Sequence, residues 1–169
     1  MMERSAVISA DTLYRTRLDR TWNPALPRCA WVCLNPSNAN GSTDDPSSRK
    51  MVGFSSRLGY GGYSLFNVMA IRLTNPKDLL RCDDPYGAEN TPENIARWCR
   101  ETSTDAPIVA WGAIHRKFRT RAERVAKALS NARCFGYTKD GDPRHPLMLA
   151  YSTPIEEFVS RVVLVEMPL

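Results

Sequence analysis

The sequence predicts an α/β fold: a three-layer α/β/α sandwich around a mainly parallel four-stranded central sheet, with an N-terminal strand or hairpin beside it. Three observations lead there. Short apolar runs at 29–34, 63–70, 107–111 and 132–137 are each bounded by turn-forming residues. They are apolar at consecutive positions, as strands buried on both faces are. Helical segments separate them, the order that lays helices over both faces of a parallel sheet. With 169 residues, no internal repeat and no dividing linker, the chain is expected to form a single domain over 1–169.

The elements follow in chain order. Residues 5–22 hold a short apolar stretch and then LYRTRLDRTW, whose alternation reads as one or two strands or a hairpin. Pro24 and Pro27 break the chain before the first buried strand, Cys29–Leu34. That strand stops at Asn35-Pro36-Ser37, and polar residues run on to Asp45. A helix is predicted from Pro46 to Leu58, with Asp45 as N-cap, Pro46 in the first position and Gly59 as terminator. Tyr63–Ala70 is the second strand, and residues 71–90 are mostly loop with a helical turn at 76–81. Thr91-Pro92 opens a helix to about Arg100, and Pro107–Trp111 is the third strand. Ile114, Phe118, Ala122, Val125 and Leu129 recur at helical spacing, so residues 113–130 form an amphipathic helix. Ala132–Tyr137 is the fourth strand and ends in the loop TKDGDPRHP. Residues 154–160 read as helical and Val162–Val165 as a last strand or tail.

Composition narrows the function classes. Apolar residues make up 43% and charged residues 24%, enough for a buried core and too apolar for wholesale disorder. No apolar run is long enough to span a bilayer, and MMERSAVISADTLYR lacks the apolar stretch and cleavage site of a secretory leader. The five cysteines, 29, 33, 82, 99 and 134, are odd in number and form no CxxC pair, which points to free thiols and a cytoplasmic location. Two histidines and scattered cysteines give no zinc spacing. Cys29 and Cys33 lie inside a strand, so no iron–sulfur cluster is expected either. GYGG is a turn, and no phosphate-cradling glycine loop occurs. No cofactor and no metal are expected.

In open α/β sheets the working groups sit beyond the carboxyl ends of the strands. Here those ends carry Asn35-Pro36-Ser37, Asn67, Gly112 and His145-Pro146. Each has an ordinary explanation: an Asn before Pro is usually a turn residue, a single His is usually a surface or satisfied core group, and Gly112 caps a strand. Asn67 is the most informative, because an amide between Leu65-Phe66 and Val68-Met69 must find buried partners.

These residues carry a resemblance. Leu34-Asn35-Pro36-Ser37 resembles the first motif of the uracil-DNA glycosylase superfamily, a strand ending in GQDPY, GINPG or GMNPG. Asn67, in SLFNVMAIRLTNP, is similar to that superfamily's strand-borne Asn, which hydrogen-bonds the pyrimidine edge. Ile108–Gly112 resembles its vvaLG strand, and His145-Pro146-Leu147 the start of its HPSPLS motif. From about residue 12 to 150 the chain also resembles a family of small bacterial and phage proteins of unassigned function, with the ordered pattern YR…LNPS…DDP…GYGG…N…R.T.P…WG…G.PRHPL. The resemblance implies a uracil-DNA-glycosylase-like sheet and hydrolysis of an N-glycosidic bond. It implies Asn35 and His145 as the catalytic pair, one placing water and the other donating to the departing base. It implies Asn67, Ser37 and Pro36 as the residues around that base.

The chemistry suits these residue types. Breaking an N-glycosidic bond builds positive charge on the sugar and negative charge on the base, so the site needs a water-placing group and a donor to the base anion. A neutral imidazole can be that donor. An amide at 35 is no strong base, and Asp45 is a rival water activator as well as a helix cap. Uracil-specific members of the superfamily hold a Tyr where Ser37 stands, so a 5-substituted pyrimidine, including modified phage bases, is the expected substrate. Phage defence is the corresponding role. The chain departs from the superfamily in two places. HPLM lacks the serines that pinch DNA, and residues 38–53 contain no stacking ring, leaving Phe54, Tyr60 or Trp111 for that task.

The charge points to the same partner. The formal net charge is +5, with 18 Arg against 5 Lys, a bias that suits phosphate contacts. Residues 113–130 hold six basic residues against Glu123, which accounts for the whole excess. Arg116, Lys117 and Arg119, with Arg144 and a wedging Leu147 or Met148, are the expected DNA contacts. A monomeric, monofunctional, base-flipping DNA glycosylase with no membrane partner is the reading. A hydrolase of free modified nucleotides and a non-catalytic modified-base reader are the alternatives.

Overall fold

The computed structural model describes residues 1–160 apart from Asn38 and Thr74. The expected tail at Val162–Val165 lies outside the described residues. Among the described residues seven strands form one sheet: β1 (Glu3–Ile8), β2 (Arg15–Thr21), β3 (Arg28–Cys33), β4 (Gly62–Asn67), β5 (Ile108–Val109), β6 (Arg133–Cys134) and β7 (Glu156–Glu157). The spatial order is β1-β2-β4-β3-β5-β6-β7. The four strands from β4 to β6 run parallel, and β1, β2 and β7 extend them by antiparallel pairing. The sheet is therefore wider than the four strands and N-terminal hairpin that the sequence predicts.

Among the described residues three α-helices cover it: α1 (Pro46–Arg57), α2 (Pro92–Thr102) and α3 (Arg116–Ala128). The alternation of β3 explains the layering. Cys29, Trp31 and Cys33 face α1 through Met51 and Phe54, while Ala30 and Val32 face α2 and α3 through Ile95, Cys99, Phe118, Ala122 and Val125. On β3 the α1 side thus carries Trp31 between two cysteines, and the other side carries Ala30 and Val32. Trp31 is fully buried, and its indole N–H donates to Ser55 Oγ at 3.0 Å, so no polar atom is stranded by that burial.

Local signals behave as physical chemistry dictates. Asp45 caps α1 by accepting from Ser48 N, Thr91 caps α2 by accepting from Asn94 N, and Gly59 ends α1 beyond Leu58 at φ +87°. Pro76–Arg81 forms a 3-10 turn where one helical turn is expected. The expected helix over 154–160 is absent, and Glu156–Glu157 pairs instead with β6. Seven residues nucleate a helix poorly. Pairing also seats Phe158 beside Trp111 and Tyr137, at centroid distances of 5.6 and 6.0 Å.

The chain passes from β3 to β4 on one side and later to β5 on the other. The sheet's topological switch point therefore lies at the carboxyl end of β3.

Candidate functional site

A cavity of about 490 Å³ opens at that switch point. Its wall includes Asn35 and Ser37 after β3, Asn67 at the end of β4, Gly112 after β5, and His145 and Leu147 from the loop after β6. Residues far apart in sequence meet because their strands end side by side: Cys33 is in register with Asn67, and Ala110 N donates to Val32 O at 2.8 Å. Arg15, Asp45, Met51, Cys33 and Trp111 also line it. Burial pushes the Cys33 thiol up to about 12, so it contributes as a small apolar group and not as a nucleophile.

Asn67 is 2% exposed. Its Oδ1 faces Arg15 Nη2 at 3.5 Å, and its Nδ2 has no hydrogen-bond partner among the described residues. A guanidinium only donates, so the amide must turn its oxygen to Arg15 and its nitrogen away. A buried donor is thus left open in the wall of the cavity.

His145 begins the 3-10 turn Pro146–Met148, and its Nδ1 accepts from Leu147 N at 3.3 Å. Nδ1 is therefore the acceptor nitrogen, and the proton of the neutral ring sits on Nε2. Burial lowers the His145 pKa below its ordinary value, against the opposing charge of Asp45, so the ring is neutral near pH 7. Gly112 adopts φ +71°, and a Cβ there would lie 3.2 Å from His145 Cβ. Only glycine combines that backbone with that approach.

Asp45 accepts from Ser48 N at 2.6 Å and from the Ser37 hydroxyl. Burial pushes its carboxyl up, but these hydrogen bonds and the Arg15 charge outweigh burial and hold it below the ordinary carboxylate value. The cap residue is thus also an ionised carboxylate in the cavity wall. Asn35 is tied differently: its Nδ2 donates to Pro36 O at 2.9 Å and Leu73 O at 3.3 Å, stitching two loops together. Any water it orients is held through Oδ1. Pro36 is buried in that turn and is not among the residues lining the cavity.

The expected stacking rings separate. Phe54 packs against Phe135 and Tyr151 in the core, and Tyr60 donates to Asp105 at 2.8 Å; neither lines the cavity. Trp111 does.

The chain belongs to the DUF1643 family. The family model, described as a protein of unknown function, matches residues 15–147, a stretch that begins at Arg15 and ends at Leu147. Every residue lining the cavity falls within that stretch. No curated protein and no solved structure matches the chain.

The cations of α3 lie outside the cavity wall. Arg116 is exposed, Lys117 Nζ donates to Leu80 O at 2.9 Å, and Arg119 makes two bonds to Asp142 at 3.1 and 3.2 Å. Asp142 also accepts from Ile114 N, so Arg119 ties α3 to the loop that carries His145. Arg144 is exposed, Leu147 is 40% exposed in the wall, and Met148 beside it is 88% exposed. No helix among the described residues is long and apolar enough to cross a membrane. No cluster of three or more His, Cys, Asp or Glu able to hold a metal occurs among them.

Sequence reading missed Arg15. The YR pair in the family pattern was its signal, but an arginine in an alternating strand reads as a solvated side chain.

Proposed function

We propose that this DUF1643 protein is a DNA glycosylase that hydrolyses the N-glycosidic bond of a flipped-out, 5-substituted pyrimidine and leaves an abasic site. The observation that carries the reading is the convergence of the open Asn67 Nδ2 donor, the His145 Nε2 donor and the ionised Asp45 on one cavity. Its volume falls in the ~300–1,000 Å³ range of ligand sites, with room beyond a bare pyrimidine ring.

In this reading the base enters the cavity with an acceptor against Asn67 Nδ2. The C1′–N bond breaks with its electron pair passing to the base, and His145 Nε2 donates to the base oxygen that gains charge. A neutral imidazole suffices, in keeping with the lowered pKa of His145. The sugar left behind carries positive charge, which the Asp45 carboxylate offsets. Asn35 Oδ1 or Asp45 orients the water whose oxygen joins C1′; its released proton passes to solvent or the departed base. Ser37 and Met51 border the space for a 5-substituent. The exposed Leu147-Met148 tip is suited to filling the gap left by a flipped base, which favours DNA over a free nucleotide as substrate.

Phage-modified DNA, uracil DNA and the matching free nucleotides, each incubated with the chain and then treated with alkali, test the reading. Strand cleavage at the modified pyrimidine supports it. Release from nucleotides alone transfers the chemistry to a nucleotide hydrolase. Tight binding without release leaves a modified-base reader.

A further inference from the structure

The chemistry above leaves the buried charge of Arg15 unused. Arg15 is 2% exposed and lines the cavity. Its Nη1 donates to Ala39 O, its Nη2 makes the 3.5 Å contact with Asn67, and its Nε has no acceptor among the described residues. No salt-bridge partner lies within 4.0 Å of it among them. A guanidinium removed from water ordinarily has a carboxylate beside it and partners for its donors, because an unpaired buried ion is costly. The charged groups around Arg15 are Asp45, which attracts it, and Arg20 and Arg72, which add to its potential; His145 across the cavity is held neutral by burial. Two donors without acceptors, Arg15 Nε and Asn67 Nδ2, therefore sit beside an incompletely neutralised cation.

We propose that Arg15 is the positioning residue of this cavity: it fixes the Asn67 amide with Nδ2 outward and makes the site prefer an anionic pyrimidine ring to a neutral one. The guanidinium draws electron density towards Asn67 Oδ1, which strengthens the Nδ2 donor through the conjugated amide. That donor then gains most when its acceptor becomes more negative. The inference rests on the glycosylase reading, in which the base leaves as an anion. It adds that the cation responsible lies behind the residue that touches the base.

The test uses free 5-nitrouracil and the full chain. This pyrimidine ionises in the mildly acidic range, and its two forms differ in ultraviolet absorbance. Titrating its complex with the protein is expected to show the anion bound at least about tenfold more tightly than the neutral form, a drop of about one unit in the bound ligand's pKa. Arg15→Met lowers that preference to the part that His145 supplies. Asn67→Asp gives Arg15 a carboxylate partner, so it folds even if Arg15→Met does not, and it also lowers the preference. Arg15→Lys restores it in part. Equal binding of the two forms, no detectable binding, or a preference undiminished in Asn67→Asp overturns the proposal. Base release from DNA without anion preference removes the role of Arg15 and keeps the glycosylase. Anion preference without base release does the reverse.

Discussion

Strand β2 buries two arginines, and the fold treats them differently. Arg20 meets Asp44 at 2.5 Å and also donates to the carbonyls of Asp19, Asn40 and Thr43. Arg15 has one carbonyl, one long contact to an amide and an Nε without an acceptor. Residue type, strand and depth are shared; only the completeness of the partners differs. A buried cation with a full set of partners is architecture, here the lock that holds the loop leading to α1. A buried cation with an incomplete set is the observation on which the proposed role of Arg15 rests.

Stability is the sharpest way to break that comparison. Arg20→Met leaves Asp44 with Arg4 alone, removes the donor to three carbonyls, and is expected to cost about 3–5 kcal/mol in chemical denaturation. Arg15→Met strands only a carbonyl and an amide oxygen and is expected to cost about 1–3 kcal/mol. Equal losses would erase the distinction between the two ends of the strand.

Two glycines extend it. Gly59 and Gly112 both have positive φ, but a Cβ at 59 meets nothing within 4 Å while one at 112 presses on His145. Alanine at either position should cost about 1–2 kcal/mol from the backbone alone. Only Gly112→Ala should also lower base release, by displacing His145. Equal activities of the two variants would separate Gly112 from the site.

The pH dependence separates two residues of the cavity wall, His145 and the helix cap Asp45. The folded pKa of His145 lies below its unfolded value of 6.5. Between those two values the unfolded chain holds a proton that the folded chain does not. Its contribution to stability therefore declines as pH falls through about 6.5 and levels off below the folded pKa. His145→Gln should remove that slope. The folded pKa of Asp45 lies below 3.8, so its contribution is full above that value and is lost as pH falls through the folded pKa. Asp45→Asn keeps a capping side chain and should remove only the acid slope. Denaturation curves across pH read both windows.

The smallest effect concerns α3. Arg116→Glu should weaken DNA binding and lower its salt slope by about one without changing the melting temperature. Arg119→Glu should also lower the melting temperature, because it breaks the Asp142 pair. An unchanged salt slope for Arg116→Glu returns the exposed end of α3 to solubility alone.

How much was legible beforehand follows from where information is stored. The buried runs, the Asp45-Pro46 cap and the α3 stripe are local patterns, and each marks an element. The first buried strand and the helices keep close to their expected bounds, while the runs at 107–111 and 132–137 pair over only Ile108–Val109 and Arg133–Cys134. The convergence of Asn35, Asn67 and His145 was legible because parallel strands place their ends together. β7 was not, since pairing two residues with a distant edge leaves no periodic signal. Nor was Arg15: its importance lies in missing partners, which only packed coordinates reveal. Phe54 and Tyr60 were candidates by composition, and tertiary packing directs both away from the cavity.

The most direct measurement is mass spectrometry of free base released from duplex oligonucleotides carrying uracil or 5-substituted pyrimidines. Release of a 5-substituted base with an abasic strand left behind is expected, with a loss of about 100-fold or more in His145→Ala and Asn67→Ala. No release from any duplex, or release of uracil alone with every 5-substituted base rejected, would contradict it.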